Sequence, residues 1–119
     1  MNAVCPWLVL ANLSRFGLDN RHMHGPEYAV KLKLKEHLRR QGTYWFMPVQ
    51  TGYGATSLDF LCCSLGEFVA YECKARGGKL TPRQELVARQ ITAAGGSVFV
   101  VTLDANGELE LKRVDRSRA

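Results

Sequence analysis

The sequence predicts an α/β domain, ordered helix, three strands, helix, strand, strand. Three observations carry that expectation. Residues 26–41 and 82–94 each hold apolar side chains at helical spacing between a proline start and a glycine stop. Residues 57–74, SLDFLCCSLGEFVAYECK, read as two apolar strands joined by a tight turn. Residues 97–102, SVFVVT, are a continuous strand-forming run of the kind buried on both faces. With 119 residues, of which 46% are hydrophobic and 23% charged, the composition is that of a single globular core.

The chain divides into an N-terminal extension (residues 1–25), a domain (26–114) and a tail (115–119) that should fray. Residues 3–13 are apolar but carry Pro6 and are too short to cross a bilayer; they are expected to pack on the domain or on a second copy of it. The polar, glycine-containing stretch that follows reads as a linker, and its His22 and His24 read as solvated rather than as metal ligands.

In the first helix, Val30, Leu34 and Leu38 follow one another at i+4 and define the buried stripe. Glu27 lies above that stripe. It is well placed to complement the helix dipole, and equally to aim a carboxylate at the end of the sheet. Lys31, Lys35 and Arg39 form a basic stripe, the pattern of a solvated face and also of a phosphate-contacting one. Residues 43–49, TYWFMPV, read as the first strand, with Pro48 marking an edge or bulge. In QTGYGAT, Tyr53 stands between two glycines, a loop that can bring backbone and an aromatic ring close to a ligand.

The 57–74 hairpin concentrates charge in an apolar setting. Side chains alternate along a strand, so Glu72 and Lys74 share a face. A Leu65-Gly66 loop sets Asp59, read as part of the first strand, opposite Glu72; a Gly66-Glu67 loop, which suits a type II′ turn better, sets it opposite Lys74. Either register gathers all three charges on one face. Adjacent carboxylates repel and lose hydration, so something must offset them. A divalent cation, held by one or two carboxylates plus phosphate oxygens and water, would do so; so would neutralisation by Lys74.

Beyond the hairpin, Thr81, Pro82 and Gln84 form a T-P-x-Q start in which Gln84 completes a capping box. Gln84, Val87, Ile91 and Ala94 define one face, which places the glutamine at the top of the expected buried stripe. Lys79 and Arg83 crowd the same helix start, where an anion would relieve them. Residues 109–114, LELKRV, alternate as a half-exposed final strand after an Asp104-to-Gly107 turn. A formal charge of +5 favours a polyanionic partner, with nucleic acid the leading candidate. Cys5, Cys62, Cys63 and Cys73 lack CxxC spacing and read as thiols in a reducing cytosol rather than a zinc site or disulfide frame.

Glu27 on a helix, Asp59 on a strand, Glu72-Cys73-Lys74 on the next and Gln84 on the following helix resemble, as an ordered set, the PD-(D/E)XK nuclease superfamily. Within it the chain most resembles the VRR-NUC (virus-type replication-repair nuclease) family, especially compact stand-alone phage-type members. Gly54, the KARGGKLTPRQ run and AAGGSVFVV add to the resemblance, which covers residues 26–101. The proline that usually precedes the aspartate is absent from Thr56-Ser57-Leu58-Asp59. The resemblance implies a restriction-endonuclease-like αβββαβ core, with a mixed four-stranded sheet flanked by helices, to which the C-terminal strand and N-terminal extension are additions.

It also implies metal-dependent DNA hydrolysis in the cytoplasm of a bacterial or phage-infected cell. Asp59, Glu72 and the Cys73 carbonyl would hold Mg²⁺ or Mn²⁺, with Glu27 a direct or water-mediated ligand. Lys74 would orient the attacking water, and Gln84 would position Lys74 or that water. Tyr53, Lys31, Lys35, Arg39, Arg76, Lys79 and Arg83 are the expected DNA contacts. Expected partners are branched DNA and a second copy of the chain, with no membrane and no small-molecule cofactor. Two alternatives stand beside this: an inactive, basic DNA-binding protein in which Lys74 pairs Asp59, and an RNA-processing nuclease.

Overall fold

The computed structural model describes residues 25–49 and 56–114. The N-terminal extension up to residue 24, with His22, His24 and Cys5, therefore lies outside the described residues, as do Tyr53 and the tail.

The chain forms α1 (Pro26–Arg40), β1 (Tyr44–Phe46), β2 (Phe60–Ser64), β3 (Glu67–Cys73), α2 (Pro82–Ala93), β4 (Ser97–Leu103) and β5 (Leu109–Arg113). The strands make one mixed sheet in the order β1-β2-β3-β4-β5. Its β3–β4 pair is parallel and the other three pairs are antiparallel. Joining parallel neighbours requires a crossover, which α2 supplies. The expected four-stranded sheet with a separate last strand is corrected to five strands, because β5 folds straight back onto β4. The Asp104 carboxylate closes that turn by accepting from the N–H groups of Asn106 and Glu108.

α1 starts with Pro26 at its first turn and buries Val30, Leu34 and Leu38, as their spacing predicts. They pack on Phe60, Cys62, Val69, Tyr71, Cys73 and Val101 across one face of the sheet. On the other face, Leu58, Ala70, Ala88 and Val98 form a second, smaller core. The sheet is thus the middle of three layers. In α2 the buried line is Ala88 and Thr92 below Gln84; Val87 and Ile91 flank it half-buried, and Ala94 is exposed at the helix end. The expected stripe is therefore rotated: small residues sit at the centre, where the helix lies close to the sheet.

Ser64 pairs with Glu67, so the β2–β3 loop is Leu65-Gly66, and no bulge interrupts the ladder. Both loop residues have positive φ, 50° at Leu65 and 83° at Gly66. That is the type I′ pattern, whose twist matches the flanking strands, rather than the type II′ turn favoured from sequence. β1 is shorter than residues 43–49 and forms an edge of the sheet, with Pro48 just beyond it unable to extend the ladder. No helix among the described residues is long and apolar enough to cross a membrane.

Candidate active site

Asp59 sits at a bend immediately before β2, not inside it as the sequence suggested. Leu58 packs in the α2-side core and Phe60 in the α1-side core, whereas residues two apart on a regular strand share a face. The chain therefore turns at Asp59. Extending the β2–β3 register by one step sets Asp59 opposite Glu72. In place of the next ladder bonds, each of the two carboxylates accepts from a backbone N–H of the opposite segment. The Asp59 N–H donates to Glu72 Oε1 at 3.1 Å, and the Cys73 N–H donates to Asp59 Oδ2 at 3.0 Å. The expectation of three charges on one face is thus corrected for Asp59, whose carboxylate turns toward α1.

From α1, the Lys31 ammonium lies 3.7 Å from Asp59 Oδ1. On the other side, Lys74 Nζ lies 3.7 Å from Glu72 Oε2, and both of those side chains are nearly buried. Gln84 Nε2 donates to the same Glu72 oxygen at 2.9 Å. Its Oε1 accepts from the Thr81 N–H at 3.0 Å, while its own N–H donates to Thr81 Oγ1 at 3.2 Å, completing the capping box. One amide does both jobs that the sequence left as alternatives. It contacts Glu72, whereas the resemblance implied that it positions Lys74 or the attacking water.

Glu72 is 4% exposed. Burial, followed by the neighbouring Asp59 carboxylate, pushes its carboxyl up to about 7, against the opposing pull of Lys74. The Cys73 side chain points into the α1-side core. Burial foremost, with Asp59 next, drives its thiol far above the ordinary range, with Lys31 opposing and Glu72 and Glu27 adding to the shift. This thiol is inert packing, and what Cys73 can offer a cation is its backbone carbonyl. Cys62 is likewise buried and its thiol is raised to about 11 by desolvation.

Glu27 lies half-buried in the first turn of α1. Among the described residues no group of three or more His, Cys, Asp or Glu side chains is placed to hold a metal ion, so Glu27 does not complete a cluster with Asp59 and Glu72. The α1 residue that reaches Asp59 is Lys31, assigned from sequence to a DNA-facing stripe. Its place one helical turn below Glu27 was the available signal. Arg39 also departs from that stripe: its guanidinium lies 5.8 Å from the Trp45 ring centroid and its Nε is buried without a hydrogen-bond partner. Lys35 is half-buried, and Arg76, Lys79 and Arg83 are exposed around the start of α2.

No protein-family model matches the chain. A search of curated proteins likewise finds no match.

The donor set fits a small divalent cation without a third carboxylate. Mg²⁺ is commonly held by one or two carboxylates, the remainder of its shell being water and substrate phosphate. Asp59 and Glu72 supply two adjacent carboxylates, and the burial that raises Glu72 is what a cation would offset.

Proposed function

We propose that this chain is a metal-dependent endonuclease that hydrolyses phosphodiester bonds in DNA, with a restriction-endonuclease-like αβββαβ core. The observation that carries the reading is the buried Glu72 carboxylate, held by Gln84 and Lys74 and set against Asp59 at the end of β3. Asp59, Glu72 and the Cys73 carbonyl are the residues to hold Mg²⁺ or Mn²⁺. The bound ion would polarise the phosphoryl group and lower the pKa of water. Lys74 orients the attacking water and stabilises charge on the phosphoryl oxygens. Gln84 fixes the Glu72 carboxylate, and Lys31 holds Asp59 toward α1.

Four-way or otherwise branched DNA is the proposed substrate and a homodimer the proposed active unit, since paired incisions need two identical sites. An apolar sheet face supports a contact between copies: Tyr44, Phe46 and Phe68 are 67, 54 and 47% exposed. Residues 3–13, expected from sequence to pack on the domain or on a second copy of it, lie outside the described residues. Light scattering that shows only monomer at tens of micromolar, free and with junction DNA, removes the paired-incision reading.

One observation favours a second reading, a nucleic-acid-binding protein without catalysis: each carboxylate already has a lysine, Lys31 for Asp59 and Lys74 for Glu72. Incubating the protein with labelled single-stranded, duplex, flap and four-way DNA in Mg²⁺, Mn²⁺ or EDTA separates the two. Cleavage that needs the metal, is abolished by Asp59→Asn or Glu72→Gln, and is lost in Lys74→Ala with metal affinity kept supports the nuclease. Cleavage that persists in EDTA, or is undiminished in Lys74→Ala, overturns the mechanism. Binding without any cleavage supports the second reading.

A further inference from the structure

We infer that the cleft between residues 77–79 and strands β4 and β5 is a nucleotide subsite. In it Lys79 and Lys112 take phosphate oxygens, and Glu110 and Thr102 take the amino-bearing edge of a base. This rests on the nucleic-acid reading above and assigns the path of the strand beside the candidate site.

The sheet supplies the floor. Glu72 pairs with Val100, and Val100 pairs with Lys112, so these three residues form a row across adjacent strands with their side chains on one face. Neighbouring strands lie about 4.8 Å apart, so the Lys112 backbone is about 10 Å from that of Glu72. The next row on the same face begins at Lys74, whose N–H donates to Val101 O on β4, and continues through Thr102 to its partner Glu110. The cleft floor is therefore the lateral continuation of the Glu72 and Lys74 positions, on the strand the resemblance did not cover.

The loop after β3 supplies the wall. The Gly78 N–H donates to Ala75 O at 2.8 Å, folding the loop back over Lys74. A Cβ at position 78 would stand 3.0 Å from that carbonyl and 3.2 Å from Lys74 Cβ. Glycine lets the wall rest on the lysine of the site and leaves Lys79, next in the chain, lining the opening. The cleft has a volume of about 530 Å³, within the usual range of ligand sites, and Lys79, Val100, Thr102, Glu110 and Lys112 all line it.

Its mixed lining selects the ligand. Two lysines attract an anion, but Glu110 repels a bare one, so free phosphate is a poor match. A nucleotide presents both kinds of group. Its phosphate suits the lysines, and the exocyclic amine of cytosine or adenine donates to a carboxylate, whereas thymine offers only an imide N–H set between two carbonyl oxygens that repel one. The apolar floor at Val100 lies beneath the base. The inference therefore includes a base preference at one position, for an amino-bearing base over thymine.

The test uses the full chain in EDTA, where cleavage does not intervene. A fluorescein-labelled single-stranded oligonucleotide carrying one 5-iodocytosine is titrated by anisotropy over a range of salt, then irradiated and the adducts are located by mass spectrometry. Expected are adducts within residues 100–102 or 109–113 and an affinity several-fold lower in Lys112→Glu, with a salt slope reduced by about one. Glu110→Ala should bind oligo-dC and oligo-dT alike, whereas the wild type prefers oligo-dC. Lys112 and Glu110 are exposed, so both variants should fold, which circular dichroism verifies. Adducts confined to α1, with unchanged affinity in Lys112→Glu, overturn the subsite while the nuclease reading stands. A wild type that neither binds oligonucleotide here nor cleaves DNA with Mg²⁺ overturns both.

Discussion

Gln84 donates to the Glu72 oxygen that Lys74 also approaches, 2.9 Å from the amide and 3.7 Å from the ammonium, so the cap of α2 and the charged end of β3 are one hydrogen-bonded unit. A glutamate at position 84 would preserve the capping acceptor yet turn the donor to Glu72 into a like charge. Gln84→Glu is expected to lower stability by about 1–3 kcal/mol at pH 8 in EDTA, and by less at pH 5. Gln84→Ala, which loses the donor and half the capping box, should cost about 1–2 kcal/mol at either pH. Urea unfolding measures both. Equal stability of Gln84→Glu and the wild type at pH 8 would show that the contact carries no energy.

The raised Glu72 carboxyl gives the metal-free protein a definite pH dependence. Between its ordinary value of 4.5 and about 7, the folded state binds the proton more tightly than the unfolded state. Stability contributed by this group is therefore greatest below pH 4.5, falls as pH rises through that window, and is level above it. Thermal melts in EDTA at pH 5 and pH 8 should show this decline in the wild type and its removal in Glu72→Gln. A wild-type slope unchanged by that substitution would assign the titration to other groups.

Arginine 39 should behave differently from the exposed cations at the start of α2. Its guanidinium packs on Trp45, so Arg39→Ala should lower stability by about 1 kcal/mol with little change in the salt dependence of DNA binding. Lys79→Ala and Arg83→Ala should each reduce the salt slope by about one and leave stability within about 0.5 kcal/mol. Titrations against duplex DNA at several salt concentrations, with matched melts, separate the classes. A reduced slope in Arg39→Ala alone would reverse the assignment.

Leu65 is the one non-glycine residue with positive φ among those described, and its side chain is fully exposed. Nothing packs to offset the left-handed backbone, which costs an ordinary L-residue roughly 1–2 kcal/mol. Leu65→Asn should raise stability by about 0.5–1 kcal/mol, because asparagine tolerates that conformation and precedes Gly66 in the favoured turn pair. An unchanged or lower melting temperature would count against a type I′ turn.

Local chemistry made much of this fold readable from sequence. Pro26 and the Val30, Leu34, Leu38 spacing specify α1, and Thr81, Pro82 and Gln84 specify the start of α2, because caps and helical periodicity act within a few residues. The hairpin was equally legible as a hairpin, and alternation along β3 settled that Glu72 and Lys74 share a face. Its register was not: Leu65-Gly66 and Gly66-Glu67 are both plausible loops, and the choice lies in how the two strands pack between helices. Tertiary structure alone decided which partner each charge takes. Lys31 meets Asp59 because the chain bends before β2 and α1 crosses that end of the sheet, and Gln84 meets Glu72 because α2 returns over the other face. Such pairings depend on sub-ångström placement of side chains from separate elements, and residue spacing along the chain does not encode it. The alignment of Glu72, Val100 and Lys112 is of the same kind: β5 comes to lie beside β4 through a turn whose closure by Asp104 is local, yet the row it creates joins residues forty positions apart.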